Sequence, residues 1–328
     1  MLHIRDIQQA GRRLAGRVHR TPVLTSRTLD RITGATLFLK PEMLQRTGSF
    51  KVRGVLNRIA DLEPEERQRG IITISAGNHG QAVAFAAAAE GVNATVVMPA
   101  HATPAKVEAC RDYGANVVLH GDIFGAFERM EELRQRDGGV LIHPFDDPAI
   151  MAGQGTVALE ICDDVPELDA IVIPAGGGGL LSGASAAMKA LQPGARVIGV
   201  EPTGAAAILR GMEVGKPVRL DAVDTIADGL GAPMTSSDVL AHVRAFVDDM
   251  VVVTDDQIRA AMRLLLERCK LLTEPAGAAA LAAVLAGVAT VPGTAGRAPR
   301  IAVVLSGGNI DMPRLAELLT DHRSNPED

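Results

Sequence analysis

Ile171-Val-Ile-Pro-Ala-Gly-Gly-Gly-Gly-Leu-Leu-Ser-Gly183 sets an apolar run, four consecutive glycines and the start of a small-residue helix in direct succession. The run is apolar and β-branched, as expected of a strand covered on both faces. Four glycines let the backbone approach a phosphate closely, and the helix behind them supplies N–H donors and the positive end of its dipole. A strand, a glycine turn and a helix form the repeating unit of α/β proteins, where ligands gather beyond the carboxyl ends of the strands. The same stretch also admits a dinucleotide site, because the next strand, Val197–Val200, ends in Glu201, about 20 residues on, where an acid that reads a ribose belongs. The dinucleotide spacing is incomplete: starting from Gly176 or Gly177, the last required glycine falls on Leu181 or Ser182. A phosphate monoester therefore ranks above a dinucleotide.

Outward from this unit, Val- and Ile-rich runs alternate with longer segments of helical period from about Ala35 to Gly308. The runs predict strands at Thr36–Lys40, Ile71–Ser75, Ala94–Met98, Ala115–His120, Val140–Ile142, Ala170–Pro174, Arg196–Val200 and Ile301–Leu305. Nearly all are continuous apolar runs, so the fold class is α/β with parallel strands. The alanine-dominated stretch Ala276–Val288 reads as a buried helix, being shorter than the roughly 20 residues that span a membrane. Only Arg323–Asp328 reads as a frayed polar tail.

Composition narrows the partners. The chain has 328 residues, 47% hydrophobic and 22% charged, enough for two domains or a large domain with an insertion. The net charge of −6 is scattered, so no basic face invites nucleic acid and no polybasic run invites a membrane surface. Aromatics are 2%, which leaves bases without stacking platforms. A small-molecule partner is expected. Cys110, Cys162 and Cys269 are far apart and in no zinc or redox spacing, which predicts no metal site and a reduced, cytoplasmic compartment. Met1–Arg20 shows no secretion signal.

Three further segments carry chemistry. In Lys40-Pro-Glu-Met-Leu-Gln-Arg-Thr-Gly-Ser-Phe-Lys51-Val-Arg-Gly54 a strand end runs through a polar turn into a helix expected to start at about Ser49. A desolvated lysine at such a pocket mouth can form a Schiff base, although the segment alone reads as solvated surface. In Ile74-Ser-Ala-Gly-Asn-His-Gly-Gln81, Ser75 is a candidate cap for the following helix Ala82–Glu90, and the turn's N–H groups suit a carboxylate or simply make an ordinary strand-to-helix turn. In Ile301-Ala-Val-Val-Leu-Ser-Gly-Gly-Asn309 a buried strand delivers Ser306, whose hydroxyl suits a ring nitrogen, or merely enters a glycine turn.

Taken in order, Ser-Phe-Lys-Val-Arg-Gly, Ser-Ala-Gly-Asn-His-Gly, Gly-Gly-Gly-Gly-Leu and Ser-Gly-Gly-Asn resemble the fold-type-II pyridoxal-phosphate enzymes, and within them the threonine/serine dehydratases and serine racemases. The resemblance covers about residues 5 to 315, and His143-Pro-Phe-Asp-Asp147, Gly153-Gln-Gly-Thr156, Thr225-Ile-Ala-Asp-Gly-Leu230 and Glu274-Pro-Ala-Gly277 look like the family too. It implies two open, mostly parallel twisted sheets with helices on both faces, as in the tryptophan synthase β chain. A small domain, 70–147, is inserted in a large one, 1–69 and 148–328, with pyridoxal 5′-phosphate in the cleft between them.

The resemblance also implies roles. Lys51 forms a Schiff base with the cofactor and is catalytic with Ser75, while Phe50 packs beside the ring. Asn78 bonds the ring's 3′-oxygen, Gly176, Gly177, Gly178, Gly179 and Leu180 hold the phosphate, Ser306 meets the pyridine nitrogen, and Gly229 lies close as backbone. Ser75, Ala76, Gly77 and His79 line the loop for the substrate carboxylate. The implied activity is dehydration and deamination of a 3-hydroxy amino acid such as L-threonine or L-serine. The alternatives are serine racemisation and dehydration of a less common substrate such as 3-hydroxyaspartate or a hydroxyectoine-derived amino acid. Family racemases carry a second serine where this chain has Ala76, and the β-replacing relatives carry threonine where it has His79. Relatives that bind a divalent cation pair an acid like Glu201 with a second acid where this chain has Ala207. The chain ends soon after Ser306, so no isoleucine-responsive extension is expected, and a homodimer or homotetramer is the usual assembly.

Overall fold

The computed structural model describes residues 1–291 and 296–320; the polar tail expected at Arg323–Asp328 lies outside them. Its strands are β1 (Thr36–Pro41), β2 (Ile71–Ile74), β3 (Ala94–Met98), β4 (Asn116–Leu119), β5 (Val140–Leu141), β6 (Ala170–Pro174), β7 (Arg196–Pro202), β8 (Asp249–Val253) and β9 (Arg300–Leu305). They form a five-stranded sheet in the order β1-β9-β6-β7-β8 and a four-stranded sheet in the order β4-β3-β2-β5. Every pairing between these strands is parallel. All strands of the smaller sheet come from one continuous stretch of chain, and the larger sheet is assembled from both sides of it.

Alternation explains why the strand sequences are apolar throughout. In β6, Ala170 and Val172 face a core with Leu37, Leu39 and the helix Pro275–Leu285, while Ile171 and Ile173 face another with Leu181, Val197 and Met188. Both faces of the sheet are thus covered by helices, as parallel sheets require. The helix Pro275–Leu285 is buried from Pro275 to Val284 and lies on the larger sheet, where its alanines let the backbones approach.

Strand β8 was not among the sequence expectations. It opens on Asp249, and at the sheet edge it is only partly covered, so its apolar core of Met250–Val253 is too short to stand out. Edge strand β4 is exposed at both ends for the same reason.

A buried set of charges fixes the segment that leads from β1 to the helix Lys51–Ala60. Arg53 donates from Nε to Glu42 Oε2 at 2.8 Å and from Nη1 to Glu160 Oε1 at 2.6 Å. Lys40 Nζ donates to Glu160 Oε2 and to the Thr21 carbonyl, each at 2.7 Å, and Thr21 Oγ1 donates to Glu42 at 2.7 Å. The side chains of Lys40, Glu42 and Arg53 are wholly buried, and their charges together with Glu160 cancel. Such a set tolerates burial only while complete.

Candidate active site

Lys51 is the first residue of its helix, two positions after the expected start at about Ser49, and Phe50 is the N-cap, with helical φ and ψ. The Phe50 N–H donates to the Ser306 carbonyl at 3.1 Å, which ties the lysine's lead-in to the end of β9. Lys51 Nζ lies 2.9 Å from the Pro144 carbonyl, just beyond β5, and 5.2 Å from the centroid of the Phe50 ring. Burial pushes the amine down to about 8, against the opposing pull of the Glu274 carboxylate. The ends of both sheets therefore meet at this nitrogen.

Asn78 opens the helix Asn78–Glu90, directly after the turn that follows β2. Its Nδ2 donates to Glu274 Oε1 at 2.6 Å and its Oδ1 accepts from Asn309 Nδ2 at 2.7 Å. Ser75 does not cap this helix: its Oγ accepts from the Gly77 N–H at 3.1 Å, and the N-cap is Gly77 with no side-chain cap. The first N–H groups of the helix are thereby left for an external acceptor. Ala76 beside Ser75 is half-buried and packs against the smaller sheet's core.

The His79 ring turns away from that turn. It is 3% exposed, and Nε2 lies 2.9 Å from the Ile142 carbonyl, an acceptor that requires the proton on Nε2. Nδ1 is buried without a partner, and burial holds the ring's pKa down to about 3, so the imidazole is neutral. What His79 offers the carboxylate loop is backbone.

The four glycines follow β6 as expected, and Gly178 is the N-cap of the helix Gly179–Leu191 in a left-handed conformation, φ 96°. No side chain caps this helix either. The loop is hemmed in by protein: a Cβ at Gly176 would stand 2.9 Å from Leu230 Cα and 3.2 Å from the Gly229 carbonyl, and one at Gly179 would stand 2.9 Å from Phe145 Cα. Glycine here serves packing as well as ligand approach. Gly229 itself faces Ala276 and the Glu274 carboxylate. Ser306 is buried, and its Oγ donates to the Ala276 carbonyl at 3.3 Å.

Three groups at the site had no assigned role in the sequence reading. Glu274 is buried beside Asn78, and desolvation raises its carboxyl to about 7. Asn309 and the Pro144 carbonyl are the others; all three lie within quoted motifs, but their orientation depends on distant partners. Glu201, weighed as a ribose reader and as a metal ligand, accepts from the N–H groups of Ile208 and Leu209, each at 2.8 Å. One N–H bond to each of its oxygens ties it to the first turn of the helix Ala207–Val214. Among the described residues no group of three or more His, Cys, Asp or Glu is arranged to hold a metal ion.

The residues fit a phosphorylated aldehyde. The uncapped helix behind the glycines suits its phosphate, a lysine of lowered pKa suits its carbonyl, and hydroxyl and amide groups at Ser306 and Asn78 suit its ring. This is the fold and site of a pyridoxal-phosphate enzyme. The chain belongs to the family described as pyridoxal-phosphate dependent enzyme, which matches residues 14–307. It is 41% identical to the L-threonine ammonia-lyase of Thermotoga maritima over 97% of this chain and 78% of that one. Among solved structures, it resembles maize serine racemase with a TM-score of 0.91 and 38% identity, covering 98% of this chain and 97% of that one. The threonine deaminase of T.th. matches with a TM-score of 0.88 and 42% identity, covering 94% of this chain and 99% of that one.

Proposed function

We propose that this chain is a pyridoxal 5′-phosphate-dependent ammonia-lyase that dehydrates and deaminates a 3-hydroxy amino acid, L-threonine or L-serine, to a 2-oxo acid and ammonia. The observation that carries the reading is the Lys51 amine, lowered to about 8 and set between the Phe50 ring and the Pro144 carbonyl where the ends of both sheets converge. The likeness to the Thermotoga maritima L-threonine ammonia-lyase over nearly the whole chain supports the reaction class.

Bound pyridoxal 5′-phosphate supplies an electron sink for the pair left at the substrate's α-carbon. Lys51 would hold it through Nζ, and the same amine would take the α-proton of the substrate, a role worth about 10²–10⁴ in rate. Gly176 to Gly179 and Leu180 hold the phosphate through backbone N–H groups. Asn78 would offer its amide to the ring oxygen, Phe50 would pack beside the ring and Gly229 would be a close backbone contact. Ser306 would face the ring nitrogen by turning its one hydroxyl proton from the Ala276 carbonyl, and a hydroxyl, unlike a carboxylate, would not keep that nitrogen protonated. Ser75, Ala76, Gly77 and His79, at the uncapped helix start, take the carboxylate. Because Ser75 Oγ accepts from Gly77, its own proton is free to be donated to substrate.

The same reading divides the chain into a large domain, 1–69 and 148–328, and an inserted small one, 70–147, whose closure excludes water. It also places the enzyme in the cytoplasm as a homodimer or homotetramer, in keeping with its three free cysteines.

Racemisation is the second reading, favoured by the likeness to maize serine racemase and opposed by Ala76, which has no hydroxyl to serve the far face of the substrate. Incubation of the holoenzyme with a panel of 3-hydroxy amino acids, 3-hydroxyaspartate and a hydroxyectoine-derived one included, with and without chelator, decides the matter. The expected product is a 2-oxo acid; its absence across the panel, or D-serine as the sole product, overturns the proposal.

A further inference from the structure

Four side-chain and backbone groups form a continuous hydrogen-bonded line behind the candidate site. Asn309 Nδ2 donates to the Thr47 carbonyl and to Asn78 Oδ1, each at 2.7 Å, and Asn78 Nδ2 donates to Glu274 Oε1 at 2.6 Å. The line has one consistent polarity. A backbone carbonyl only accepts, so Asn309 must present its NH₂; its second proton then requires Asn78 to answer with Oδ1, which leaves Asn78 Nδ2 for the other side. Gln81 Oε1, 3.5 Å from Asn309 Nδ2, presents a further oxygen to the same NH₂.

The near end of the line is strained. Thr47 has φ 61° and ψ 14°, a left-handed conformation that a β-branched residue rarely adopts. Gly48 after it has φ 71°, and its missing side chain leaves the space that the Asn309 amide fills. Two backbone bonds run alongside, from Gly308 N to the Gly48 carbonyl at 3.0 Å and from Phe50 N to the Ser306 carbonyl at 3.1 Å. Asn309 therefore braces the chain leading into Lys51 and orients the amide of Asn78 at once.

We propose that Asn309 is a positioning residue that sets which end of the Asn78 amide faces the cofactor ring, through the two hydrogen bonds its Nδ2 donates to the Thr47 carbonyl and Asn78 Oδ1. This rests on the functional reading above. The isosteric change Asn309→Asp would put a carboxylate against two oxygens; relief comes by rotating the Asn78 amide, which turns Oδ1 toward Glu274 and the ring.

The test compares wild type, N309D, N78A and N78A/N309D as holoenzymes by pH titration of the bound cofactor's visible absorption and by kcat and KM. N309D is expected to move the titration midpoint by about half a pH unit or more and to lower kcat about tenfold, with KM changed less than about threefold. In the N78A background the same substitution should have a clearly smaller effect on both readouts, the remainder reporting its hold on the Thr47 carbonyl. If N309D does not fold, N309A, which removes the donor without adding charge, is read in the same cycle. An unmoved titration, or equal effects with and without Asn78, overturns the proposal. A wild-type enzyme that makes no 2-oxo acid overturns the functional reading instead and leaves the spectral cycle to judge Asn309 alone.

Discussion

Lys51 Nζ lies 2.9 Å from the carbonyl of Pro144, 93 positions further along the chain. One residue belongs to the approach from β1 of the larger sheet and the other to the exit from β5 of the smaller one, so the amine rests where the two sheets meet. The same loop continues into Phe145, whose backbone and side chain lie against Gly177 and Gly179. Amine and glycine loop are thereby held in register by one short segment.

Replacing Lys51 by Ala should abolish turnover by a factor of at least about 10²–10⁴, the worth of a positioned base, and remove the covalent anchor altogether. Borohydride reduction followed by peptide mapping should place the adduct on Lys51 in the wild type and nowhere in K51A. A reduced adduct at another lysine, with turnover retained, would contradict the assigned role.

Gly178→Ala combines two penalties, a left-handed φ of 96° and a new methyl group driven into Val239. Left-handed backbone costs roughly 1–2 kcal/mol outside glycine and overpacking roughly 1–3 kcal/mol. Denaturant unfolding should show a loss of about 2 kcal/mol or more, and the affinity for pyridoxal phosphate should fall with it. Val239→Ala in the same chain should recover part of the stability but not the backbone share; full recovery would show that φ is not limiting.

Arg53→Ala leaves Glu42 and Glu160 facing each other with only Lys40 between them. Removing one member of a buried charge set costs about 3–5 kcal/mol, whereas replacing the whole set with apolar groups of like volume is often neutral. Urea titration of R53A should show that loss, and R53K should recover little of it because a single ammonium cannot serve both carboxylates in the guanidinium's fork geometry. A change under about 1 kcal/mol in R53A would mean that the set relaxes or binds water.

Much of this arrangement was legible because the signals are local. The glycine loop after β6, the lysine after the turn from β1 and the serine at the end of β9 each follow from an apolar run meeting a special turn. What the sequence did not disclose depends on contacts between distant segments: that Ser75 bonds Gly77 instead of capping a helix, that the His79 ring is buried against Ile142, and that Glu201 is tied to the first turn of the helix Ala207–Val214. Strand β8 escaped notice because an edge strand is only half covered and needs no long apolar run.

His79 gives the molecule an acid-side pH dependence. Its folded pKa of about 3 lies below the ordinary histidine value of 6.5, so between these values the unfolded chain binds a proton that the folded chain refuses. Its share of stability is therefore full above about pH 6.5 and is lost as the pH falls, at up to about 1.4 kcal/mol per pH unit. Unfolding free energies measured from pH 6.5 down to 4 should fall more steeply in wild type than in His79→Gln. Parallel slopes for the two proteins would show that the ring is not buried neutral.

Ala76 is the position where the family's racemases carry a second serine, and here it sits half-buried beside Ser75 in the turn that follows β2. On the proposed reading, elimination needs only one base, Lys51, on one face of the substrate. Racemisation needs a second group that returns the proton from the opposite face. On the proposed reading a hydroxyl added at Ala76 is that group, and a serine there adds one oxygen to a methyl half-buried against the smaller sheet's core. A76S should therefore form D-serine from L-serine, detected by chiral chromatography, while 2-oxo acid formation stays within about tenfold of wild type. If D-serine is absent and elimination persists, the far face lacks access for the hydroxyl, and what separates the two activities lies elsewhere in the cleft.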